Sequence, residues 1–211
     1  MRAKLVPVLL SMILFLSHAS MAQEISSEWV IAIQKDGSAE ISIKHIIPVE
    51  SQEIWDELSE SLDEQMLSSY QQTISEIIAE LSESTGREMS IHSWSIEKKF
   101  VEDHGEIVIS FVWENFCSSG EGKLNLEVLE GFVIPEGTKL VIRAPEGTSF
   151  SEVSPPADEM DESSVTYIGP NTLENLRITL SGAEETPGFE LAAALIAAFL
   201  ASILLKANSR V

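Results

Sequence analysis

The chain has 211 residues, with 34 acidic side chains against 13 basic ones and a formal net charge of −21. A surface of that sign repels nucleic acid and anionic headgroups, so a nucleic-acid partner is not expected. The single cysteine, Cys117, leaves no internal disulfide, and the fold must rest on its core.

Residues 1–22 read as a secretory signal peptide. Arg2 and Lys4 form a basic start, Leu5–Leu16 an apolar core, and Ser20-Met21-Ala22 a small-residue cleavage site, so the exported chain begins at Gln23. Residues 23–182 follow as one exterior domain, long enough for a single core. Every acidic residue except Glu190 lies between 23 and 186, whereas Arg2, Lys4, Lys206 and Arg210 lie outside that stretch. The exterior part is therefore more acidic than the chain as a whole, which suits a cation-rich exterior.

Glu28–Gln34 alternates through Trp29, Ile31 and Ile33, and Ala39–Ile47 alternates through Ile41 and Ile43. The Asp36-Gly37 turn between them completes a β-hairpin signal. Pro48 ends the second strand, and Ser51 is placed to cap a helix. Trp55, Leu58, Leu62, Met66, Tyr70, Ile74, Ile77 and Leu81 then form one stripe at about 3.7 residues per step, nearer a straight helix than a coiled coil. The spacing predicts one long amphipathic helix over Ser51–Ser84 that packs on a sheet, with Gly86 as its stop. Unbroken it would measure about 50 Å, too long for a domain about 40 Å across. A bend or break is expected within Ser59–Asp63 or Ser68–Thr73.

The remainder reads as β-rich. Met89–Val101, Glu106–Phe116 and Lys123–Ile134 are expected as three long strands, the first two joined by a turn at Glu102-Asp103-His104-Gly105. Thr138–Arg143, Thr148–Val153, Ser164–Ile168 and Leu176–Leu180 are shorter strands, and Ser154–Ser163 is an acidic loop. The fold class expected is α+β, a mainly antiparallel sheet domain with that one helix. An N-terminal signal peptide and a C-terminal transmembrane helix are expected beside it.

Residues 183–188 form a stalk that ends in Pro187-Gly188, and Phe189 opens an apolar run to Leu205. Seventeen helical residues span about 25 Å, close to a hydrocarbon core of about 30 Å, so 189–205 is expected to cross a membrane. Lys206 and Arg210 in the tail 206–211 place the C-terminus in the cytoplasm and the domain outside. Pro187, Gly188 and Phe189, the Ala/Leu-rich span and the trailing Lys206 and Arg210 resemble the archaeal PGF-CTERM sorting signal. The resemblance implies a cell-surface protein whose tail is cut by an archaeosortase-type membrane enzyme, the new C-terminus being attached to lipid. This basic cluster is thinner than that family's, two charges separated by Ala207, Asn208 and Ser209.

Residues 89–182 also loosely resemble the exterior domains that precede a membrane span in many archaeal proteins. The residues matched are Phe111–Phe116, Ala144-Pro145-Glu146-Gly147 and Val153-Ser154-Pro155-Pro156. Such proteins sometimes carry a cytoplasmic winged helix after the span. The few residues after Leu205 are not expected to supply one, and the resemblance implies no activity.

No residue is singled out as catalytic. Cys117 needs a basic neighbour to become reactive; Lys123 is the nearest in sequence, and an inert, half-buried thiol is the plainer expectation. His45, His92 and His104 lack metal-ligand spacing and are expected as strand or turn residues. Asp158, Glu159, Asp161 and Glu162 lack the ligand order of a calcium loop, and weak cation screening is the role expected of them. No cofactor fingerprint occurs. The expectation is an exported, membrane- or lipid-anchored surface protein of binding or envelope-structural type, not an enzyme. Two alternatives stand beside it. One is the exterior subunit of a membrane complex, with the small residues Ala192, Ala193, Ala197 and Ala198 allowing close helix approach. The other is a surface hydrolase using acidic residues that nothing singles out.

Overall fold

A computed structural model describes residues 26–61, 64–120 and 123–181. The signal peptide, the sorting motif Pro187, Gly188 and Phe189, and the membrane span lie outside the described residues. Among the described residues no helix is long and apolar enough to cross a membrane.

The hairpin forms as its alternation predicts. β1 (Ser26–Ile33) pairs antiparallel with β2 (Ala39–Pro48), placing Trp29 opposite Ile43 and Ile31 opposite Ile41. Asp36 Oδ1 accepts from the Ser38 N–H (2.9 Å) and Ser38 Oγ (2.6 Å) to close the turn. Gly37 adopts φ +87°, and an added Cβ would stand 2.6 Å from the Cys117 carbonyl oxygen. The turn therefore needs glycine for its conformation and for that close approach.

The amphipathic stretch is helical as its stripe predicts and is described in two segments, α1 (Gln52–Ser61) and α2 (Glu64–Thr85). Residues 62 and 63 between them lie outside the described residues. Ser51 Oγ accepts from the Ile54 N–H (3.4 Å), the N-cap foreseen. Near the end of α1, Ser59 Oγ bonds back to the Asp56 carbonyl (3.0 Å) and Lys98 Nζ donates to the Ser59 carbonyl (2.8 Å). Gly86 at φ +67° stops α2.

β3 (Ser90–Val101) and β4 (His104–Glu114) form a second hairpin with Glu102-Asp103 as its turn. The third long strand expected, Lys123–Ile134, is corrected. It is β6 (Lys123–Asn125), a 3-10 turn (Glu127–Leu129) and β7 (Phe132–Ile134), preceded by β5 (Ser118–Gly120). Val128 and Leu129 are both buried although adjacent. A strand cannot send neighbouring side chains to one face, and the turn does so. β8 (Thr138–Arg143), β9 (Ser149–Ser154), β11 (Ser164–Ile168) and β13 (Arg177–Ser181) match the shorter strands expected. β10 (Glu159–Met160) inside the acidic loop and β12 (Asn171–Leu173) were not expected.

The strands assemble into a seven-stranded sheet, β10-β11-β8-β1-β2-β4-β3, a four-stranded sheet, β5-β6-β13-β9, and a β12-β7 pair. Among the described residues the pairings are antiparallel except β1 with β8, which run parallel at the centre of the large sheet. One face of that sheet is mainly apolar, with Trp29, Ile31, Ile43, Phe111, Leu140, Ile142 and Val165 all buried. The α1 and α2 helices contact it at β3, while β7 and β9 contact β8 and β11. Ile74, Ile78 and Leu81 of α2 share one core with Leu124, Phe150 and Ile178 of the small sheet. Trp55 of α1 joins Ile47, Ile107 and Ile109 in a neighbouring cluster. There Gly105 lets Trp55 lie flat on β4, since a Cβ would fall 2.0 Å from its ring. The architecture is α+β and mainly β, with helices and a small sheet side by side over one face of a large sheet.

Candidate functional site

The residues that sequence reasoning weighed are dispersed. Cys117 is 4 % exposed in the loop before β5, and its N–H donates to the Gly37 carbonyl (2.9 Å). Burial pushes its thiol up to about 11, and Asp36 adds to that; Arg87, not Lys123, is the cation that opposes them. A thiol so placed is a poor nucleophile at neutral pH. The histidines separate likewise. His45 is buried against Ser27 Oγ (2.8 Å), His92 pairs with Glu114 (2.7 Å), and His104 sits 3.4 Å from Glu106.

The acidic loop is occupied by its own backbone. Asp161 accepts from the N–H groups of Ser163 and Ser164 (both 2.7 Å) and from both their hydroxyls. These bonds hold its carboxyl below the usual range, the Ser164 hydroxyl contributing most. Asp158 accepts from the Ile168 N–H (2.7 Å), and Glu159 reaches Lys139 at 3.7 Å. Asp158 and Asp161 are thus taken up by backbone and hydroxyl contacts and Glu159 by a lysine. Among the described residues no three His, Cys, Asp or Glu side chains are grouped as metal ligands.

Three hollows stand out among the described residues. A small apolar cavity of about 70 Å³ lies in the core between α2, the large sheet and β7, lined among others by Trp29, Ile78 and Phe132. A shallow depression of about 300 Å³ lies on the outer face of the large sheet, where Ala32, Ser42 and Ser110 are too small to fill it. The third, about 680 Å³ and larger than these two, is an open groove on the outer face of the small sheet. That volume falls within the range of small-molecule sites.

This groove is built by strand register. Leu124 of β6 and Ile178 of β13 face each other, are both buried, and form its floor. Their sequence neighbours must then point outward. Lys123 stands opposite Thr179, and Thr179 opposite Glu152 of β9, which makes one row across three strands. Beside that row, Arg177 stands opposite Ser154 of β9, and Asn125 opposite Ser118 of β5. At one rim Asn175 holds φ +57° while its N–H donates to both oxygens of Glu130 (2.9 and 3.1 Å). In a chain with far more acid than base, the groove carries two cations and one carboxylate. Neither Lys123 nor Arg177 makes an ion pair among the described residues. Sequence reasoning weighed Lys123 only as a neighbour for Cys117 and passed the others over, because each is an ordinary exposed polar residue. The available signal was the repeated polar–apolar–polar pattern of Lys123-Leu124-Asn125 and Arg177-Ile178-Thr179.

No curated protein matches the chain. A family model described as a domain of unknown function, DUF7345, matches residues 30–148. The match runs from β1 to the turn before β9, so Lys123 and Asn125 lie inside it and Glu152 and Arg177 beyond it. With more than half its length matched, the chain belongs to the DUF7345 family.

Proposed function

We propose that the chain is an exported archaeal cell-surface protein of binding or envelope-structural type, displayed outside the membrane by its C-terminal segment. The observation that carries this reading is the order of segments along the sequence. A basic-then-apolar leader comes first, an acidic folded unit next, and Pro187-Gly188-Phe189 then opens a seventeen-residue apolar run with Lys206 and Arg210 behind it. The seven residues between Ser181 of β13 and Phe189 support it further: they reach at most about 25 Å, which would keep the domain close to the bilayer surface. Pro187 has a fixed φ and no N–H, and Gly188 is permissive, so together they would keep the backbone non-helical just outside the span, where a sorting enzyme could hold it extended.

The test is mass spectrometry of both termini from native membranes. The expected N-terminus is Gln23, and the expected C-terminus is a cut, lipid-linked product. Gly188→Ala barely alters the hydropathy of the span, so a sorting signal should lose processing and accumulate uncut. Identical C-termini with a retained span in both proteins would leave an ordinary membrane anchor, or the span of a complex subunit, in place of a sorted protein.

A further inference from the structure

We infer that the groove on the small sheet is a binding site for an acidic saccharide, a sugar ring bearing a carboxylate. This deepens the binding reading above and does not depend on how the chain is anchored. Two observations point to an anionic group. Lys123 and Arg177 lie on adjacent strands, one row apart, both directed outward and neither ion-paired among the described residues. They occur together in a protein whose net charge is −21, where an exposed cation has many acidic side chains with which to pair. A guanidinium presents a planar fork that fits a carboxylate in bidentate fashion.

The rest of the lining suits hydroxyl groups. Thr179, Ser154 and Ser118 each supply a hydroxyl that donates and accepts, and Glu152 supplies a strong acceptor at the far end of the Lys123 row. Asn125 Oδ1 accepts from the Glu127 N–H (3.2 Å), so its NH2 is the end left for a ligand. Among the described residues no aromatic side chain lines the groove. A neutral sugar therefore finds no ring to stack on, and binding must come from the charged contacts. The floor of Leu124, Leu176 and Ile178 is buried, so the polar groups are carried on packed strands and not on a loose loop.

The experiment is a titration of the full chain in neutral detergent, followed by calorimetry and backbone amide shifts. The probes are sodium glucuronate, glucose and inorganic sulfate. Glucuronate should bind and shift residues 123–125, 152–154 and 175–179. Arg177→Gln should weaken it by about tenfold or more, the size of one lost charge-assisted pair. Lys123→Gln should weaken it less, and Lys139→Gln, on the large sheet, should leave it unchanged. Both groove positions are exposed, so the variants should keep the wild-type shift dispersion elsewhere. Absence of glucuronate shifts in the groove, or unchanged affinity in Arg177→Gln, overturns the site. Glucose binding as tightly as glucuronate overturns its acidic character, and sulfate binding as tightly overturns the saccharide. Retention of the span in the purified chain would refute sorting while leaving each of these outcomes intact.

Discussion

Ser27 and His45 face each other across β1 and β2 on the inner side of the large sheet, with Ser27 Oγ 2.8 Å from His45 Nδ1. Burial makes the imidazolium costly there and pushes His45 down to about 4. The unfolded chain takes up this proton near pH 6.5, whereas the folded chain resists it until about pH 4. Stability from the neutral ring is thus fully present above about pH 6.5 and is lost as pH falls toward about 4. By about pH 5 the loss should reach about 2 kcal/mol. Urea unfolding at about pH 7 and about pH 5 should show wild type losing that much more than His45→Gln. Equal losses in the two proteins would mean the ring is hydrated or already charged. Nothing in the local sequence Lys44-His45-Ile46 marks this behaviour beyond the inward phase of the strand, which places His45 with Ile41, Ile43 and Ile47.

The helices show what periodicity can locate and what it cannot. The stripe from Trp55 to Leu81 does face the sheet, with Trp55, Ile74 and Leu81 buried. Leu62 and Met66 lie where side chains are not described. The stripe names Ile77, yet Ile78 is buried at 3 % while Ile77 packs at the margin. A helix lying on a sheet buries a face wider than a one-residue stripe, so adjacent positions compete for its centre. Ile78→Ala should therefore cost about 2–5 kcal/mol, and Ile77→Ala only roughly 1 kcal/mol. Chemical denaturation of the two variants would rank them, and the reverse order would put α2 in a different rotation. Among the strands, alternation located β1, β2, β3, β4, β8 and β11 because each is long enough to show a period. It missed β10 and β12, which have two and three residues and no period to read. The groove was illegible for another reason. Its cations come from residues 123 and 177, and only the pairing of β6 with β13 makes them neighbours.

At the scale of the whole molecule, the folded unit outruns the matched segment 30–148. Beyond it lie Val165, Tyr167 and Leu173, each fully buried, and Ile178 at 1 %. β11 covers the edge of β8, and β13 covers that of β6. A chain ending at residue 148 should show no cooperative thermal transition, while one ending at Ser181 should melt as the full exterior part does. A sharp, reversible melt of the shorter chain would show that β9 to β13 are an accessory layer. The parallel pairing of β1 with β8 has a temporal consequence. β1 is made first and lies mid-sheet, but its second neighbour begins only at Thr138. During synthesis, or threading N-terminus first through a pore, β1 therefore has one bare edge along Trp29-Val30-Ile31-Ala32-Ile33 until Arg143 has followed. A bare apolar edge accepts any strand that arrives. Where nascent chains are crowded, the β8 of a neighbour competes with the chain's own, and the yield of monomer is decided by which arrives first.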